Sequence, residues 1–117
     1  KWTDRGVEWT YSGILTGEEI IQSNEDIYGD PRFDELRYQI ADLSQVERFE
    51  VAEKEMKRMA HLDAAAARSN PKIRLAVIAP DSAAREISDA YRNSNQNPPW
   101  EHQVFKTRKA AETWLGL

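Results

Sequence analysis

Residues 73–79 (IRLAVIA) are apolar at every position except Arg74. A strand with one wet face alternates apolar and polar residues, whereas an unbroken apolar run needs cover on both faces. This run therefore predicts a central strand in a sheet flanked by helices. The neighbouring sequence supplies those helices. Phe49, Ala52, Met56, Ala60, Ala64 and Ala67 recur at spacings of three and four, which predicts a helix over 49–68. Glu53, Lys54, Lys57, Arg58 and His61 fall off that stripe, the small residues of 64–67 allow a close approach to the sheet, and Ser69-Asn70-Pro71 stops the helix. After the apolar run, Pro80-Asp81-Ser82 opens another helix with Ala83, Ile87, Ala90 and Tyr91 inward. The polar stretch 93–99 (NSNQNPP) reads as a loop and 100–105 as a short last strand. Thr107 caps a final helix that turns Ala110, Ala111, Trp114 and Leu115 to the core.

The first third follows the same grammar. Val7, Trp9 and Tyr11 alternate with Glu8, Thr10 and Ser12, the period of a half-buried strand. Asp4-Arg5-Gly6 reads as a turn, so residues 1–3 are expected to be the remnant of a hairpin partner. Thr16, with Glu19 three residues on, forms a capping-box signature for a helix that buries Ile20, Ile21, Ile27 and Tyr28 and ends at Gly29-Asp30-Pro31. The stretch 36–43 (LRYQIADL) is the next strand, with Leu36, Tyr38, Ile40 and Asp42 on one face. Strands alternating with helices predict an α/β protein in one domain over 1–117, with a sheet of four to five strands and about four helices. The opening hairpin would make that sheet mixed.

Composition narrows the function classes. A chain of 117 residues with 40% hydrophobic and 31% charged content suits one folded domain. The absence of cysteine excludes disulfides, thiolate metal sites and cysteine nucleophiles, and makes a reducing cytoplasm the simplest setting. No apolar run approaches the roughly 20 residues of a membrane span. The net charge of −4 argues against nucleic acid as a partner. It is unevenly spread: residues 1–50 hold 12 acids and 5 bases, residues 51–117 hold 8 acids and 11 bases. Such asymmetry favours a charged partner or self-association, including a homodimer.

The search for catalytic groups returns little. His61 falls on the polar face of the long helix and His102 in an edge strand, so both read as surface residues. Glu18-Glu19 and Asp34-Glu35 are adjacent in sequence and need not converge. No zinc-protease, phosphate-loop, nucleophile-elbow or dinucleotide fingerprint occurs. The expectation is a non-enzyme with no cofactor and no metal.

Four landmarks carry a likeness. They are Gly13-x-Leu15-Thr16 leading from a strand into a helix, Asp42-Leu43-Ser44 closing a strand, the run IRLAVIAP, and Phe105-x-Thr107-x-x-x-Ala110-x-x-Trp114-Leu115. In this order they resemble the STAS family, the sulphate-transporter and anti-sigma-factor-antagonist domains, and more closely the small bacterial SpoIIAA-like proteins. The resemblance implies a cytoplasmic, non-catalytic regulatory or protein-binding module. It also implies a phosphoacceptor Ser or Thr within 46–51, but those residues are Val, Glu, Arg, Phe, Glu and Val, so that role does not carry over. Binding residues expected on this reading are Ser44, Glu47, Phe49 and Glu50 at the junction, Asp81 and Ser82 before the third helix, and Trp100 beside Pro98-Pro99. Ser44 alternatively serves the turn through its own hydrogen bonds. Trp100 alternatively packs on the sheet. The second functional reading is a carrier of a small apolar ligand or lipid, which needs an enclosed apolar cavity of a few hundred Å³.

Overall fold

The computed structural model describes residues 1–93 and 100–117; most of the predicted loop 93–99 therefore lies outside the described residues. The elements run β1 (Gly6–Thr16), α1 (Gly17–Tyr28), a short 3₁₀ turn (Pro31–Glu35), β2 (Tyr38–Glu50), α2 (Glu53–Ser69), β3 (Arg74–Ile78), α3 (Ser82–Asn93), β4 (Glu101–Phe105) and α4 (Arg108–Leu115). The four strands form one sheet in the order β1-β2-β3-β4, and every neighbouring pair is parallel. The expected mixed sheet is thus corrected. The hairpin remnant shrinks to one antiparallel bridge between Trp2 and Val7, flanked by Glu8 N–H to Lys1 O and Thr3 N–H to Gly6 O, each 2.8 Å.

The alternation of side chains divides the sheet cleanly. On one face Ile40, Ala76 and Ile78 pack against Ala111, with Tyr38, Phe105, Trp114 and Leu115 around them, so α4 covers this side. Arg108 fastens α4 there, its guanidinium 2.5 Å from Glu8 on β1 and 3.7 Å from Asp42 on β2. The other face, carrying Leu15, Leu43 and Val77, packs against Ala84 of α3 and Ile20 of α1. Met56 and Met59 of α2 meet Ile21 of α1 and Ile87 and Tyr91 of α3. The run at 73–79 is covered on both sides, as its composition requires.

Helix ends follow the local chemistry. The Thr16 hydroxyl accepts the Glu19 N–H at 3.2 Å and opens α1. Thr107 does the same for Ala110 in α4, and Gly116 closes that helix at φ +79°, a conformation that favours glycine. Asp81 caps α3, its Oδ1 accepting the Ala84 N–H at 2.8 Å. The long helix begins at Glu53 rather than 49, because β2 runs on through Glu50 beside β1. Three helix faces also differ from expectation. In α4 Ala110 is exposed while Ala111 is buried. In α3 the buried positions are Ala84 and Ser88, with Ile87 and Tyr91 half-buried, while Ala83 and Ala90 are exposed. In α2 the buried set includes Met59 and Asp63 besides Met56, Ala60 and Ala67.

Candidate functional site: a polar cluster in the pocket between sheet and helices

The residues expected to bind a partner fall in three places: the second half of β2, the approach to and start of α3, and the position before β4. Ser44, Glu47 and Glu50 are exposed along β2. The backbone N–H of Ser44 donates to Asp42 Oδ1 at 2.9 Å, and Glu50 pairs with Arg48 at 2.6 Å. Phe49 belongs to β2, not to the helix, and is half-buried against the cluster of Leu15, Leu43 and Val46. Asp81 and Ser82 stand exposed at the start of α3. Trp100 is 5% exposed, packs with Val7, Phe33 and Ile73, and donates its indole N–H to Asn70 O at 2.8 Å. A side chain so enclosed cannot anchor a partner. Trp2 is half-buried with the Arg32 guanidinium 3.9 Å above its ring.

A different constellation lies inside the fold. Between the sheet and α1, α2 and α3 there is a partly open pocket of about 100 Å³. Its sheet wall is Trp9, Tyr11 and Leu15 from β1, Gln39, Ala41 and Leu43 from β2, Leu75 and Val77 from β3, and His102 from β4. Its helical wall is mostly apolar as well, with Ile20, Met56, Met59 and Ile87, but four polar side chains enter it beside Asn24: Tyr28, Asp63, Ser88 and Tyr91.

The centre of that polar set is Asp63, which is 4% exposed. The Tyr28 hydroxyl donates to Asp63 Oδ1 and the Tyr91 hydroxyl to Oδ2, so each carboxylate oxygen is held from a different helix. A buried carboxylate without such donors would be prohibitively expensive. Even with them, removal from water raises its pKa from 3.8 to about 6, because desolvation outweighs the two hydrogen bonds that favour the ion. Burial and the neighbouring carboxylate push both tyrosines upward, so their hydroxyls remain protonated donors. Tyr11, enclosed in the same wall, rises to about 12 by burial.

Two further groups meet the cavity with unspent hydrogen-bonding capacity. Gln39 is 3% exposed; its amide approaches the Tyr28 hydroxyl, but Nε2 makes no hydrogen bond of good geometry among the described residues. Nε2 of His102 makes none either. The His102 ring lies 5.7 Å from Tyr91, at 60° to it. Burial, helped by the Arg92 charge, lowers its pKa to about 4, so the imidazole is neutral near pH 7. The expectation that His102 is an ordinary surface residue is therefore corrected. His61 is exposed, as its place on the polar face of α2 predicts.

No family model, curated protein or solved structure matches this chain.

The polar cluster left a partial trace in the sequence. Asp63 falls in helical register with Met56, Met59, Ala60 and Ala66, and a lone carboxylate on an apolar stripe is the mark of a buried, partnered acid. Tyr28 and Tyr91 were legible as inward positions of their helices. His102 alternates with Gln103 and shares a face with Val104, which strand parity alone could have revealed. Among the described residues no group of three or more ligating side chains could hold a metal ion, and no helix is long and apolar enough to cross a membrane.

Proposed function

We propose that this protein is a non-catalytic binding module that holds a small, largely apolar molecule between its sheet and its first three helices. One observation carries the reading: the cavity is lined mainly by apolar side chains, yet it meets buried polar groups whose hydrogen-bonding capacity is not spent. Native interiors rarely leave such groups unpaired. Apolar walls with a few convergent polar atoms are the usual composition of a small-molecule site. The volume of about 100 Å³, roughly three water molecules, falls short of the few hundred Å³ that a carrier of a lipid or drug-sized molecule needs, so the reading is confined to a compact ligand. Likeness to the STAS and SpoIIAA-like proteins is part of the proposal. The alternation of four strands and four helices supports it, as does the short antiparallel bridge that opens the chain.

Xenon tests whether the cavity accepts an occupant, since the atom fills apolar voids without needing hydrogen bonds. Under xenon pressure the methyl resonances of Met56, Met59, Ile87 and Leu75 should shift saturably. Saturable shifts elsewhere, with these methyls unmoved, would overturn the assignment of the site.

A protein partner at the end of β2 is the second reading. Beyond Asp42 this strand has left β3 and pairs only with β1, and Ser44, Glu47 and Glu50 are exposed there. Ile14 on the neighbouring strand is 47% exposed. Sedimentation velocity of the protein alone separates self-association from a requirement for a different partner.

A further inference from the structure

The polar groups at the cavity also define what its occupant must present, an inference that rests on the binding reading above. Asp63 puts a carboxylate at the wall, and no Lys or Arg lines the cavity among the described residues. An anion entering there would lose its hydration, gain no counter-charge and meet a like charge. A cation would be attracted by this carboxylate, but it must give up its hydration in a mainly apolar site whose one carboxylate is already held by two tyrosine hydroxyls. What remains under-used is Gln39 Nε2, a buried amide donor that approaches the Tyr28 hydroxyl without a well-formed hydrogen bond to it, and Nε2 of the neutral His102 imidazole. A donor without a well-formed bond in an apolar pocket gains from any acceptor that fits beside it.

We propose that the site is selective for a compact, uncharged molecule with one hydrogen-bond acceptor, of the ketone, aldehyde or ester class, whose oxygen is received by Gln39. Apolar flanks of the occupant then rest against Leu75, Val77 and Ile87, while the Asp63–tyrosine cluster keeps carboxylates out. A free fatty acid or other carboxylate is thus a poor occupant, and its neutral carbonyl counterpart a good one.

Four probes of one shape and different polarity test this near neutral pH: 3-methylbutan-2-one, 2,3-dimethylbut-1-ene, 2-methylpropanoate and 3-methylbutan-2-amine. They present respectively a carbonyl, a double bond, a carboxylate and an ammonium group on the same branched frame. Binding is read by titrating the side-chain amide resonances of Gln39 and the methyl resonances of Ile87. The ketone should bind about tenfold more tightly than the alkene, the scale of satisfying one buried donor. The carboxylate should bind more weakly than either. In Gln39→Leu the ketone should lose its advantage while the alkene still binds, which shows that the altered pocket remains folded. In Asp63→Asn the carboxylate should gain relative to the ketone. Alkene binding equal to that of the ketone, or a preference for the carboxylate or the ammonium, overturns the proposed selectivity and leaves the binding reading standing. Failure of all four, with xenon also excluded, overturns both.

Discussion

Asp63 and His102 are joined through a single ring, that of Tyr91, which donates its hydroxyl to the carboxylate and lies 5.7 Å from the imidazole. Burial acts on both groups by disfavouring their charged forms, yet the two pKa values move in opposite directions, to about 6 for the acid and about 4 for the base. Their effects on stability therefore oppose each other over the same range of pH.

The sign of each effect follows from proton linkage. Asp63 binds its proton more tightly in the folded state, so its contribution is fully present below the unfolded pKa of 3.8 and is lost as pH rises through about 6. His102 binds its proton more weakly when folded, so its contribution is present above 6.5 and is lost as pH falls through about 4. The His102→Gln variant should be more stable, relative to wild type, at about pH 4.5 than at about pH 7, and Asp63→Asn should show the reverse. Urea melts at the two pH values decide. Between these two pH values the Asp63 effect is about 2 kcal/mol. Parallel pH profiles for the two variants would contradict the linkage.

Asn70 is 3% exposed, and its amide donates to Phe33 O at 2.8 Å and to Leu36 O at 2.9 Å. It ties the turn before β2 to the end of α2, and its own carbonyl receives Trp100. The Asn70→Ala variant removes two buried hydrogen bonds, although Phe33 O keeps the Leu36 N–H and Leu36 O keeps Arg37 Nη1, and should cost about 1–3 kcal/mol in a denaturant melt. Trp100→Phe removes one donor and keeps most of the packing, so it should cost less.

Met56 is 4% exposed and Lys57, one position on, is solvent-facing. Met56→Asp should cost several kcal/mol, about the scale of an unpaired buried charge, while Lys57→Asp should change the melt by about 0.5 kcal/mol or less. Equal losses would contradict the observed face of α2.

Arg108 holds α4 to β1 and β2 through Glu8 and Asp42, but its own side chain is 42% exposed. Arg108→Ala should therefore cost about 1 kcal/mol, and less as salt is raised. A loss that is insensitive to salt would point to packing of the Arg108 stem instead.

How much of this was readable in advance depended on whether the pattern had one cause. Ile73 to Ala79 gave its covered strand directly, since no other arrangement hides both faces. The strand ahead of α2 was harder, for a specific reason. Leu43, Val46 and Phe49 recur every three residues, a helical spacing, yet all three pack on the same side of β2. The pairing with β1 slips between Thr10 and Ser12 and again between Gly13 and Ile14, each time adding one residue to β2. Each bulge converts an interval of two into three, so an extended chain takes on the periodicity of a helix. That is why 49 read as the helix start. The pocket was illegible for another reason: Asp63, Tyr28, Tyr91, Gln39 and His102 come from five elements, and only the register of the sheet brings them together.

The walls of the cavity come from all four strands and three of the four helices, so no fragment of the chain encloses it. On the proposed reading, occupancy is a property of the folded ensemble as a whole, and an occupant would act as a chaperone of the fold that holds it. At a free concentration about 100 times its Kd it deepens the native basin by about 2.7 kcal/mol. Cells that produce such a molecule would then hold more of this protein against proteolysis than cells that do not, with no change in its synthesis.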